Sequence, residues 1–302
     1  DIPELHYLFV EQLPGYTAVI LENGDIQFNA ERDSMGFAEI SGTFQNDAFA
    51  DYMEQSREIS MQAQSIQQDM QAATGEAALA LQDEFKELQE EYKNFELDYV
   101  KANPKALISA LVLDRAIATK AVSLSEIEGI YDTMSEEIKN SPSGKKILEG
   151  IEKLKKSEEA EKNSSIGAVA PDFSGPNPEG EVIALKDVMG KVTLIDFWAG
   201  WCRPCRAENP NIVAVYNKYH DKGLNVLGVS LDRTDEAWKK AIEEDGLEWN
   251  HISNIAYFDD QIAKLYNVVA IPAAFLLDEN GVIVAKNLRG PALEEKVAEL
   301  LN

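Results

Sequence analysis

The spacing of hydrophobic and polar residues changes twice along the chain. Up to about residue 45, apolar residues form short strand-like runs at Tyr16–Leu21, Ile26–Ala30 and Phe37–Phe44, the first two joined by an Asn-Gly turn. Beyond that, apolar residues recur at alternating spacings of three and four, which predicts helices. Near the end of the chain, apolar runs alternate with helical stretches. We therefore predict a partial β-sheet segment (1–45), an α-helical region (46–163) and an α/β domain (167–302).

Two long apolar stripes run through the helical region. They cover Phe49–Met70 and Leu81–Tyr99, and the sequence Ala73–Gly75 interrupts them. This pattern predicts two long helices that fold back on each other as a hairpin and bury their stripes mutually. The same stripes leave dimerisation through this region open.

The last region predicts a mostly parallel sheet covered by helices. Its final two strands are joined by a turn at Asp278–Gly281, so we expect an antiparallel end to the sheet. The predicted strands are Val192–Trp198, Leu224–Leu231, Ala273–Leu277 and Val282–Ala285.

Composition narrows the possible partners. The 302 residues are 45% hydrophobic, enough for a buried core, and the formal charge is −25. This charge disfavours nucleic acid and anionic membranes as partners. No apolar run approaches the ~18 residues that a membrane-spanning helix needs. The chain opens without a basic-then-apolar leader, as expected for a cytosolic protein or for the mature or trimmed form of an exported one.

The only two cysteines, Cys202 and Cys205, stand between a predicted strand and a predicted helix. Two residues between the thiols suit disulfide exchange, because one thiolate attacks a disulfide and the second displaces the product. A helix start favours the thiolate of the first cysteine. We therefore expect Cys202 to be the nucleophile and Cys205, less exposed, to be the resolving thiol.

Three other interpretations of the pair carry less weight. A structural disulfide here would close almost no loop and so remove little entropy from the unfolded chain. A zinc site needs about four ligands, and there is no second cysteine pair. A peroxidase of the peroxiredoxin kind would carry threonine where Ala199 stands.

Two acidic residues accompany the cysteines. Asp196 shares a strand face with Leu194 and Trp198, so burial should raise its pKa and make it a proton acceptor. The alternative is a solvated aspartate at a strand end. Glu208 follows Cys205 by three residues and should lie near its face of the helix, although an exposed helical glutamate is equally consistent.

Three segments of the last region, taken together, resemble the TlpA/ResA-like branch of thioredoxin-fold thiol-disulfide oxidoreductases of the bacterial envelope, which are related to AhpC/TSA redoxins. They are Ala170–Phe173, Leu194–Pro210 and Val269–Asp278. The resemblance implies a thioredoxin-like domain with a central mixed sheet flanked by helices, and assigns Arg233–Ser253 to an inserted helix and strand. The chain before residue 160 more weakly resembles the β-then-helical extensions of such proteins.

The resemblance also implies roles for individual residues. Asp196 would take the proton of the resolving thiol, Glu208 matches an acidic position of the branch, and Pro272 would be a cis proline facing the disulfide. Backbone groups of Ile271 would pair with an extended substrate. The partner-facing residues would be Trp201, Arg203 and Pro204. No organic cofactor or metal is implied.

These features predict an enzyme that exchanges the Cys202/Cys205 dithiol-disulfide with protein thiols and disulfides. On resemblance alone, we expect a reductase in the periplasm or cell envelope, and a lipid anchor in its native precursor is left open. The sequence leaves the redox direction open, so an oxidase or isomerase remains an alternative. A further alternative is a scaffold or partner-binding protein in which the thioredoxin-like domain is redox-sensitive.

Overall fold

The computed structural model of the protein describes residues 2–11, 15–30 and 35–301. The chain divides into two compact units, Asp1–Lys155 and Lys156–Asn302. The finer division into three regions at residues 45 and 163 stays a prediction.

The first unit begins with two small antiparallel sheets, each of two strands. The described strands are β1 Glu4–Leu8 paired with β2 Thr17–Leu21, and β3 Gln27–Asn29 paired with β4 Glu39–Ser41. The strand expected over Phe37–Phe44 is therefore shorter than predicted. Gly42 has a left-handed φ of 92°, its N–H donates to Asp47 Oδ1 at 3.0 Å, and a helix begins at Phe44.

Helices make up the rest of the first unit. The long pair α1 and α2 is joined by residues 73–75, and the two helices contact each other as the stripe pattern predicts. The unit's core packs Tyr52, Leu107, Ile127 and Ile147 from four of the helices. The bounds are α1 Phe44–Ala72, α2 Glu76–Ala102, α3 Leu107–Thr119, α4 Leu124–Thr133, α5 Glu136–Asn140 and α6 Pro142–Asn163, the last containing the division between the units.

The second unit is built on a five-stranded mixed sheet, with strand order β11-β10-β7-β8-β9. The strands β7, β8 and β9 are parallel, whereas β10 runs antiparallel to both β7 and β11. The unit comprises β5 Ser174–Pro176, β6 Val182–Ala184, β7 Val192–Trp198, α7 Arg203–Tyr219, β8 Leu224–Ser230, α8 Asp235–Asp245, β9 Asn250–Ile252, α9 Gln261–Leu265, β10 Ala273–Asp278, β11 Ile283–Lys286 and α10 Pro291–Leu301.

Apolar residues cover both faces of this sheet, which explains why β7 is buried along its whole length. On one face Leu194 and Trp198 pack with residues of α7, α8 and α10. On the other, Ile195 and Phe197 pack with residues of α9. The expected fold class, a thioredoxin-like domain with a mixed sheet flanked by helices, is confirmed, and α8 and β9 supply the inserted helix and strand. Among the described helices, none has a stretch long and apolar enough to cross a bilayer.

Candidate active site

The two cysteines lie where β7 passes into α7, and the structure holds them as a disulfide. Their sulfur atoms are 2.02 Å apart and their Cα atoms 5.3 Å apart. Pro204 occupies the first turn of α7, where its missing N–H costs no helical hydrogen bond. Cys202 and Cys205 are 3% and 2% exposed, so the two residues are about equally covered, in contrast to the expected difference.

The surroundings of Cys202 favour negative charge on its sulfur. Cys202 is the N-cap residue of α7, and its Sγ accepts a hydrogen bond from the backbone N–H of Cys205 at 3.2 Å. The positive end of the helix dipole lies at the same place. A reduced Cys202 would therefore be stabilised as a thiolate, as nucleophilic cysteines at helix starts are.

Asp196 is the buried acid of this site. It is 5% exposed and is paired on the neighbouring strands with Ala274 and Gly228. Burial raises its pKa to about 7, an effect that Arg289 opposes and Glu208 reinforces by their charges. Asp196 can therefore accept or release a proton near neutral pH.

A small cavity connects this acid with the resolving cysteine. It has a volume of about 10 Å³, the size of one water molecule at most. Its lining includes Asp196, Cys205, Glu208, Pro272 and Arg289. The structure thus brings together residues from β7, α7, the loop before β10 and the loop after β11.

The second loop of the site precedes β10. The Ile271–Pro272 peptide bond is cis, as the resemblance implied. Ala273, the first residue of β10, pairs with Phe197 near the end of β7. Because these strands are antiparallel, the start of β10 lies beside the end of β7. The proline loop and the disulfide loop therefore lie at the same end of the two strands.

Arg289 is a site residue that the sequence did not reveal. Its guanidinium donates to the Pro272 carbonyl at 2.5 Å, and the next residue, Gly290, donates its N–H to Glu208 Oε1 at 2.8 Å. The loop between β11 and α10 therefore holds both the proline loop and the α7 glutamate. No spacing signal in the sequence links Arg289 to the cysteines.

Two further polar residues fix the loop in front of Cys202. Asp232, which is fully buried, accepts from the Gly200 N–H at 2.9 Å. Arg206 donates to the Gly200 carbonyl at 3.2 Å and pairs with Glu244 and Asp245 of α8. The inserted helix α8 is thereby tied to α7 directly behind the disulfide.

The predicted partner-facing residues lie at the surface beside the disulfide. Trp201 is 48% exposed, and Arg203 and Pro204 are exposed, whereas Ile271 is half-buried. Trp201, Arg203 and Pro204 are therefore accessible to a partner. The roles of all four residues in binding stay predictions.

In the described ranges, no three His, Cys, Asp or Glu side chains come close enough to hold a metal ion. His251 is buried beside Trp198, and burial lowers its pKa to about 3, so it stays neutral.

Comparison with known proteins agrees with this site. The AhpC/TSA family matches residues 166–286, and a domain of unknown function, DUF4369, matches residues 1–49. The thiol-disulfide oxidoreductase ResA of Bacillus thuringiensis subsp. konkukian is 33% identical over 141 residues, which cover 47% of this chain and 79% of that protein.

Two solved structures are also similar to part of the chain. The thioredoxin domain of a thiol-disulfide oxidoreductase from Bacteroides vulgatus is 40% identical, with a TM-score of 0.44 over 46% of this chain and 99% of its own. A thiol:disulfide interchange protein from Bacteroides sp. is 41% identical, with a TM-score of 0.42 over 46% of this chain and 91% of its own.

A thioredoxin-like sheet with a two-cysteine disulfide at the start of its first long helix defines a thiol-disulfide oxidoreductase. The identity to ResA extends across more than two thirds of that protein. The chain belongs to the ResA-like family of thiol-disulfide oxidoreductases.

Proposed function

We propose that the protein reduces disulfides of client proteins on the outer side of a bacterial cytoplasmic membrane. The observation that carries the proposal is the position of Cys202, whose sulfur caps α7 and accepts the Cys205 N–H at 3.2 Å. Its family membership and the expected envelope location of such proteins support the compartment.

In the first step, the Cys202 thiolate attacks one sulfur of the client disulfide. A mixed disulfide forms between Cys202 and the client, the client S–S bond breaks, and the second client sulfur leaves as a thiolate that takes up a proton. The hydrogen bond to Cys202 Sγ and the charge of the neighbouring Arg203 favour the attacking anion.

In the second step, Asp196 takes the proton of the Cys205 thiol across the small cavity that both line. The Cys205 thiolate attacks Cys202 Sγ and forms the Cys202–Cys205 disulfide, the mixed disulfide breaks, and the second client sulfur leaves as a thiolate that takes up a proton. A pKa of about 7 suits Asp196 to this transfer near neutral pH. Two electrons have passed to the client, and a reducing partner must restore the dithiol.

Client binding would use the exposed groups around the disulfide. The backbone of Ile271 would pair with an extended client segment, while Trp201, Arg203 and Pro204 would contact it beside the reacting sulfurs. The first unit, with its predicted strand segment and helical region, would select clients or mediate dimerisation.

The test compares three proteins with a peptide that contains one disulfide. Reduced wild-type protein should generate two peptide thiols per protein. Cys205→Ser should stop at a covalent adduct, and Cys202→Ser should do neither. Turnover by Cys202→Ser at the wild-type rate contradicts the mechanism.

The direction of transfer is tested by equilibration with glutathione mixtures, followed by thiol alkylation. A reductase should have a reduction potential more negative than about −200 mV, whereas an oxidase should approach about −120 mV. A reduction potential near about −120 mV would contradict the reductase proposal and favour an oxidase that uses the same site.

A further inference from the structure

Three aromatic side chains, one exposed and two half-buried, pack together beside the disulfide. Trp201, directly before Cys202, lies with its ring centre 5.3 Å from Tyr257 and 6.3 Å from Phe258. Its indole N–H donates to the Leu231 carbonyl at 3.3 Å, which fixes the ring although it is half-exposed. We call Trp201, Tyr257 and Phe258 the aromatic ridge.

The loop that carries Tyr257 and Phe258 is held in an unusual conformation. Ile255 and Tyr257 have left-handed φ angles of 55° and 54°, which are unfavourable for side chains of these shapes. Hydrogen bonds hold the loop nonetheless: Ser253 Oγ accepts from the Ile255 N–H at 3.1 Å and donates to the Ser230 carbonyl at 2.9 Å. At the other end, Asp260 caps α9. Local backbone preference alone would not put Tyr257 there.

An arginine extends the ridge. The guanidinium carbon of Arg233 lies 3.9 Å from the centre of the Tyr257 ring. Arg233 itself is exposed. Stacking uses the face of a guanidinium and leaves its in-plane N–H groups free to bind a carboxylate in two places.

The acids next to Arg233 in sequence are occupied elsewhere. Asp232 faces inward onto Gly200, and Asp235 pairs with Lys239 at 2.7 Å. Within the part of the chain that the structure describes, Arg233 makes no ion pair. In a chain with a charge of −25, an exposed arginine without an acidic partner is thus available beside the site.

We propose that the aromatic ridge and Arg233 bind the client segment flanking its reactive cysteine and select a carboxylate three or four residues from that cysteine. The inference rests on the proposed function and names its substrate class. The Tyr257 ring lies 5.3 Å from the Trp201 ring and the guanidinium lies 3.9 Å further on, so the guanidinium is within about 9 Å of the ring of the residue that directly precedes Cys202, a span of about three extended residues at ~3.3 Å each. The rings of the aromatic ridge contact the client side chains that lie between the reactive cysteine and the carboxylate.

The probe is a set of peptides, each with one cysteine activated as a mixed disulfide with thionitrobenzoate. Matched peptides carry Glu, Gln or Lys at the third or fourth position on either side of the cysteine. Release of thionitrobenzoate by reduced full-length protein gives the second-order rate constant. At low salt the best Glu peptide should react roughly two- to fivefold faster than its Gln counterpart, and the ratio should shrink as salt is added.

Three variants assign the preference to its residue. Arg233→Gln should bring the Glu-to-Gln rate ratio to one, and Arg233→Glu should favour the Lys peptide. Lys191→Gln removes the same charge at the far end of β7 and should keep the wild-type ratio. Because each ratio is taken within one protein, a general loss of activity cancels.

Equal rates for Glu and Gln peptides in the wild type, or a Glu preference that survives Arg233→Gln, would overturn the inference and leave the proposed function intact. If no peptide releases thionitrobenzoate, including the neutral ones, the proposed function fails as well.

Discussion

The raised pKa of Asp196 has a measurable cost in stability. Burial moves this pKa from 3.8 to about 7. A shift of about three units corresponds to roughly 4 kcal/mol of destabilisation when the carboxylate is ionised in the folded state, at ~1.4 kcal/mol per unit. Asp196→Asn keeps the shape of the side chain and removes its charge, so it should remove this cost.

The pH range of the effect follows from the direction of the shift. Below the unfolded pKa of 3.8 the carboxyl is protonated in both states and costs nothing. Between 3.8 and about 7 the folded state holds the proton more tightly, so stability falls as the pH rises. Above that range the cost is constant. The difference in unfolding free energy between Asp196→Asn and the wild type should therefore grow by roughly 2–3 kcal/mol from pH 5 to pH 8.

Urea unfolding followed by tryptophan fluorescence measures this difference. The four tryptophans, Trp198, Trp201, Trp238 and Trp249, all lie in the second unit, so the signal reports on the unit that contains Asp196. The oxidised protein is used, because its disulfide keeps both cysteines from titrating.

Asp221→Asn is the matched control, since Asp221 is exposed and substitutions at exposed positions change the free energy of unfolding little. A stability difference for Asp196→Asn that is the same at pH 5 and pH 8 would refute the raised pKa. It would also remove the argument for Asp196 as the proton acceptor of the second step.

Other consequences of the site can be tested alongside. Glu208→Gln removes a charge that raises the pKa of Asp196, so the pH at which turnover is half-maximal should fall. Arg289→Gln removes a charge that lowers the pKa of Asp196, so the pH of half-maximal turnover should rise. Shifts of both midpoints in one direction would contradict the assigned charges. Gly228→Ala should destabilise the second unit by about 1–3 kcal/mol in urea unfolding, because the added Cβ would lie 2.3 Å from His251 Nδ1. An unchanged midpoint of urea unfolding would contradict this prediction, because the His251 ring would then have made room for the added Cβ without a cost in stability.

The elements around the cysteines were predictable because their local signals agree. The alternation of strand-like and helix-like segments gave β7 and α7, and the face shared with Leu194 and Trp198 pointed to burial of Asp196. Phe37–Phe44 misled because its apolar content suits a strand, whereas the turn at Gly42 ends pairing early.

The residues that complete the site could not be found in this way. Arg289 donates a hydrogen bond to the Pro272 carbonyl, and Arg233 lies over the Tyr257 ring. Both contacts join loops that are far apart in the sequence. Such contacts depend on how strands and helices pack, and no local periodicity encodes them. The left-handed conformation of Tyr257 could not be predicted either, because a side chain of this size disfavours it.

The central claim is that Cys202 attacks the client and Cys205 resolves the adduct. Mass spectrometry of reduced Cys205→Ser after mixing with a peptide disulfide tests it most directly. We predict one peptide attached per protein through Cys202, released on adding a thiol, and no adduct on Cys202→Ser under the same conditions. A peptide attached to Cys205 in Cys202→Ser at a comparable rate would contradict the account.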